Sequence, residues 1–83
     1  MFKIGDKVKV IDNGQLYTTY DKFFTALCPK LLWRYRKREV GNGTTGEVIF
    51  KDYHLTFTDS MLYVVKISAM NVILIGESGL VMQ

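Results

Sequence analysis

Leu62-Tyr63-Val64-Val65-Lys66-Ile67-Ser68-Ala69-Met70-Asn71-Val72-Ile73-Leu74-Ile75 is the stretch that decides the class of fold. Two apolar runs rich in β-branched residues flank a short polar break. Each run has the length of a strand and is too short for a buried helix. Within the first run Tyr63, Val65 and Ile67 share one side and make the better core face. Leu62, Val64 and Lys66 point the other way. Ala69-Met70-Asn71 reads as the turn of a hairpin, with 72–75 as its return strand.

Working outward, Glu77-Ser78-Gly79 is a short turn and Leu80-Val81-Met82 a closing strand. At the other end Phe2-Lys3-Ile4 alternates and Gly5-Asp6 is a turn pair. Residues 7–12 alternate again, with Val8 and Val10 on one face, and Asn13-Gly14 ends that strand. Gly41, Gly43 and Gly46 make a turn-rich connection into a second strand, Gly46-Glu47-Val48-Ile49-Phe50. The pattern predicts about five short strands, with Val8, Val10, Val48, Phe50, Val65, Ile67, Ile73 and Ile75 interior. A sheet this small cannot leave two edges open and bury a core, so strong bending or closure into a barrel is expected.

An insertion of different character occupies about 15–42, after the first strand. Thr18 or Thr19 can cap a helix, and Asp21 suits its first turn. Phe23, Phe24, Leu27 and Leu31 are spaced as one helical face, and Phe23, Phe24 and Leu27 are expected to point inward. Pro29 ends or kinks the run, so the helix spans 20–28. Residues 31–37 read as a second helical turn or an irregular basic arm.

Ile4-Gly5-Asp6-Lys7-Val8-Lys9-Val10 resembles the opening of Src-homology-3-like small barrels, including KOW-type modules of ribosomal and transcription proteins. Gly43-Thr44-Thr45-Gly46-Glu47-Val48-Ile49 looks like their second strand. The 62–67 and 72–75 hairpin followed by Gly76-Glu77-Ser78-Gly79-Leu80 is similar to their distal hairpin, 3₁₀ turn and closing strand. The layout, with an aromatic-rich insertion from 17 to 33, is also similar to small proteins of bacteriophages of Gram-positive hosts. The resemblance implies a mainly β chain: a five-stranded Src-homology-3-like barrel with a short helical insertion after strand 1. The insertion is basic where a peptide-binding Src-homology-3 domain carries an acidic loop, which argues against proline-rich ligands. A fold likeness supplies no function by itself.

Length and composition bound the rest. Eighty-three residues make one domain, here 1–83, and 48% hydrophobic residues suit a folded globule. No apolar run of membrane-spanning length occurs, so no membrane partner is expected. The N-terminus lacks the apolar core of a signal peptide. Cys28 is the one cysteine, which excludes an internal disulfide and fits a cytoplasmic location.

Catalytic chemistry finds little support. His54 is the one histidine, and Asp52 and Asp59 do not flank it at a metal-ligand spacing. Neither Ser60 nor Ser68 carries a nucleophile-elbow motif. Cys28 follows Leu27 on an apolar face and reads as a small core residue. The glycine-rich 41–46 stretch has no lysine and no following helix, unlike a phosphate-binding loop. Glu77 reads as a turn residue. The expectation is a non-enzyme with no catalytic residue, metal or cofactor.

Charge is the one feature above background. Lys30, Arg34, Arg36, Lys37 and Arg38 stand within 30–38 without an acid, whereas the rest has six basic and eight acidic residues, net −2. Trp33 and Tyr35 interleave with these cations. Phosphates need cations and unstacked bases favour aromatic faces, so RNA or DNA backbone is the first expected partner. A solvated basic face with Trp33 and Tyr35 packed on the barrel is the bland alternative. A protein partner is nearly as well supported, because tyrosine and tryptophan anchor interfaces.

Overall fold

The computed structural model describes residues 1–13, 34–35, 40–53 and 61–83. Among them lie β1 (Lys7–Val10), β2 (Arg34–Tyr35), β3 (Thr45–Tyr53), β4 (Met61–Ser68), β5 (Asn71–Gly76), a 3₁₀ turn (Glu77–Gly79) and β6 (Leu80–Met82). They form one sheet in the order β2-β5-β4-β3-β1-β6. The five longer strands pair antiparallel, as the alternation predicts, and β2 joins β5 in parallel. Helix 20–28, with Phe23, Phe24 and Leu27, lies outside the described residues.

Two features differ from expectation. The sheet is not closed: β2 and β6 are its two edges. There is also a sixth strand, because Arg34 and Tyr35 are extended, with neither the helical nor the irregular backbone expected of 31–37.

Local chemistry explains the turns. Asp6 N–H donates to Lys3 O at 3.0 Å, closing a β-turn with Gly5 at its third position and φ +99°. Thr44 N–H donates to Gly41 O at 3.2 Å, with Gly43 third at φ +95°. Both follow the type II pattern, which needs positive φ there. Gly43→Ala should therefore cost about 1–2 kcal/mol, although no atom obstructs a Cβ at that position. Urea denaturation checks this, and an unchanged midpoint would refute it.

β3 is the hinge of the sheet. Its first residues, Thr45 to Glu47, pair with β1, and from Glu47 to Tyr53 it pairs with β4. One long strand thus serves two subsheets, which lets the sheet wrap a single core. That core holds Phe2, Val8, Val10, Val40, Val48, Tyr63, Val65, Ile73, Ile75 and Leu80. Six of the eight expected interior residues are fully or almost fully buried; Phe50 and Ile67 are only half-buried. Bulges account for the exceptions. A register shift between Val48 and Phe50 sets Phe50 opposite Val64, a residue of the other face. A second shift, between Lys66 and Ser68, leaves Ile67 packed at the margin of the core.

The central hairpin holds a further surprise. Leu62, Val64, Val72 and Leu74 belong to the face turned away from that core, yet each is 0% exposed. β4 and β5 are therefore buried on both faces, the situation in which a strand reads as a continuous apolar run.

The insertion begins and ends at a polar clamp. Asn13 N–H donates to Asn42 Oδ1 at 3.0 Å, and Asn13 Nδ2 donates to Val40 O at 3.1 Å. Asn13, expected only to end a strand, thus draws together chain positions 27 and 29 residues apart. At the opposite end of the chain, Ile11 N–H donates to Gly79 O at 2.9 Å, tying the 3₁₀ turn to the end of β1.

Candidate functional site

Of the seven residues singled out by charge and aromaticity, Arg34 and Tyr35 are placed. They run parallel to β5, Arg34 beside Asn71 and Tyr35 beside Val72. These two residues of the basic-aromatic segment therefore pair at an edge of the sheet. Lys30, Trp33, Arg36, Lys37 and Arg38 lie outside the described residues.

Sequence reasoning missed a groove of about 490 Å³, lined by Lys7, Thr45, Glu47, Lys66, Ser68 and Gln83 among others. It sits where β1, the start of β3 and the end of β4 meet. Each strand supplies its outward-facing polar residues, because the inward ones, Val8, Val48 and Val65, fill the core. Lys7 Nζ lies 2.9 Å from Glu47 Oε1. Ser68 Oγ accepts a hydrogen bond from Asn71 Nδ2 at 2.9 Å. No short motif marks this groove, since its residues come from four segments and only strand register unites them.

A second polar cluster joins the N-terminal segment to the core. Tyr63, 0% exposed, stacks edge-on against Phe2 with centroids 5.3 Å apart. Its hydroxyl accepts from Phe2 N–H at 3.1 Å and donates to Glu77 Oε1 at 3.1 Å. The Met1 ammonium lies 3.3 Å from Glu77 Oε2, and Lys51 Nζ donates to Phe2 O at 3.0 Å. Burial pushes the Tyr63 hydroxyl above its usual pKa; the Phe2 N–H opposes this and the Glu77 carboxylate adds to it. A phenol held in its protonated form by burial is a structural hydrogen-bond donor, and Glu77, expected as a turn residue, sends its carboxylate to this hydroxyl and to the Met1 ammonium.

Among the described residues no three His, Cys, Asp or Glu side chains gather as a metal site, and no helix is long and apolar enough to cross a membrane. His54, Cys28 and Ser60 lie outside the described residues. Comparison with known proteins gives no match, whether against family models, curated proteins or solved structures.

Proposed function

We propose that the chain is a non-enzymatic binding module whose open, mainly β sheet is Src-homology-3-like in strand order, and that it takes nucleic-acid backbone through residues 30–38. The carrying observation is the attachment of Arg34 and Tyr35 as an edge strand on β5. A run of five cations and two aromatics gains a fixed base on a folded sheet, so its ordering cost on binding is reduced. The strand order supports the Src-homology-3-like reading, because consecutive β1, β3, β4 and β5 with β6 returning beside β1 after a 3₁₀ turn is what that architecture uses. Arg34, Arg36, Lys37, Arg38 and Lys30 then contact phosphates, and Trp33 or Tyr35 stacks on a base.

Titration of short single- and double-stranded oligonucleotides at two salt concentrations tests this. Changing Arg34, Arg36 and Arg38 together to Gln should lower the slope of log K against log salt by about 2–3. Equal binding by that variant, or no binding by the wild type at low salt, would refute it. A protein partner is the competing reading, favoured by exposed Ile11, Val81 and Met82 beside the open β6 edge. It predicts binding that depends little on salt.

A further inference from the structure

β6 is an open edge of the sheet, and its register fixes which backbone groups it offers. Ile11 N–H donates to Gly79 O, and Gln83 N–H donates to Lys7 O. Lys9 and Val81, midway between these two pairs, form the hydrogen-bonded pair that connects them in the ladder. Leu80 and Met82 therefore turn their amide groups away from β1, toward the open side. Leu80 N–H is taken by Glu77 O in the 3₁₀ turn. Among the described residues, this side of β6 is left with one donor, Met82 N–H, and two acceptors, Leu80 O and Met82 O.

The side chains along this edge are apolar. Val81 shares the outer face with Lys9 and is 36% exposed; Met82, on the face of Val8, is 57% exposed. Ile11, which follows β1 and bonds to Gly79, is 45% exposed. Exposed edge strands are ordinarily blunted by a charge, a proline or a bulge. Leu80-Val81-Met82 has no charge and no proline, and its pairing with β1 runs without a register shift.

We propose that β6 is the interface through which two copies of this chain join antiparallel about a two-fold axis, as one continuous sheet. The axis passes beside Val81, in the register that pairs all three residues of β6. Each Met82 N–H then donates to Leu80 O of the second copy, so the free donor of one edge meets the free acceptor of the other. A two-fold contact requires such self-complementarity. Val81 faces its own counterpart across the axis, and each Met82 covers the other copy's Leu80. β6 carries no charge for a foreign partner to complement, whereas a second copy matches it group for group. Lys9, the cation beside Val81, stands three strand spacings from its counterpart, roughly 14 Å, beyond a Debye length of ~8 Å. β2 lies at the opposite edge, so the dimer leaves Arg34 and Tyr35 uncovered and does not depend on what residues 30–38 bind. A three-residue edge is small against the ~1,200–2,000 Å² of a stable interface, so association is expected to be weak.

The test is sedimentation velocity of the full chain from about 10 μM to about 1 mM, a range that reports weak association. The wild type should pass from monomer to dimer and stop there, because a two-fold closes. Val81→Lys sets like charges opposite each other, and Met82→Pro removes the donor at a position whose N–H faces solvent in the monomer. Both should stay monomeric at the highest concentration, with the circular dichroism of the wild type. Cysteine variants read the register without adding charge. Facing residues in a pair of the Val81 kind have Cα atoms ~4.5 Å apart, within disulfide reach, whereas the two 82 positions lie diagonally at ~7–8 Å. Mild oxidation should therefore link Val81→Cys at residue 81 and leave Met82→Cys unlinked at residue 82. Peptide mass mapping locates the bond, since Cys28 is present in every variant. A wild type that is monomeric at about 1 mM overturns the dimer and leaves the edge to a foreign strand. Dimers that persist in both Val81→Lys and Met82→Pro, oligomers that grow past two copies, or equal linkage at residue 82 overturn it as well.

Discussion

Replacing Tyr63 with Ala should cost about 3–5 kcal/mol, a large share of what a domain of this size possesses. The ring is fully buried against Phe2, and truncation leaves a cavity that β4, paired on both sides, cannot collapse to fill. A domain of this size has about 4–12 kcal/mol in total. Tyr63→Phe separates the ring from the hydroxyl. It keeps the packing, leaves the Phe2 N–H and Glu77 Oε1 without their partner, and should cost about 1 kcal/mol.

The same pair of proteins carries a pH signature. Burial raises the Tyr63 pKa above 10.0, its ordinary value. Above that pH the unfolded chain releases the proton while the folded chain retains it. The unfolded state is thereby favoured, so this contribution is intact below about pH 10 and is lost as pH rises through the folded pKa. Urea denaturation at neutral pH and at about pH 11 should show the wild type losing more stability than Tyr63→Phe. Equal losses would mean that the hydroxyl is not shielded in the fold.

The second large effect is expected at Gly46. A Cβ there would meet Lys66 O at 2.5 Å, Val65 Cγ1 at 2.7 Å and Ile67 Cγ2 at 3.2 Å. The closest of these is backbone on the neighbouring strand, which cannot swing aside as a side-chain tip can. Gly46→Ala should cost about 1–3 kcal/mol, by forcing β3 and β4 apart where β3 passes from one subsheet to the other. Gly41→Ala is the control: its Cβ meets nothing within 4 Å and its φ is not positive, so it should be neutral or slightly stabilising. Melting temperatures should separate the two variants by about 4–8 °C for each kcal/mol. Coincident melting curves would show that the strands yield more readily than the geometry implies.

Gly46 also illustrates what a sequence conceals. It looks like the other glycines of 41–46, yet Gly43 is needed for its φ and Gly46 for the approach of a strand some twenty residues later in the chain. The basic-aromatic segment was conspicuous because its charges are consecutive. The groove was not, because Lys7, Glu47, Lys66 and Gln83 become neighbours only through pairing.

By itself the sequence determined whatever depends on neighbours along the chain. The period-two alternation of 7–10 and 62–67 set the strands and the inward faces of Val8, Val10, Tyr63 and Val65. The glycines at 5 and 43 set the turns, and the apolar run 72–75 set the return strand of the hairpin. These are local steric and solvation preferences, and each is complete within a few residues. Only the tertiary structure decided the rest. The bulge after Val48 sent Phe50 to the opposite face, Arg34–Tyr35 became an edge strand, the sheet kept two open edges, and Tyr63 bonded to Phe2 and Glu77. Each of these depends on which distant backbone supplies a hydrogen-bond partner. A shift of one residue in register reverses every side chain, so strand register is a property of the assembled sheet and of no single strand.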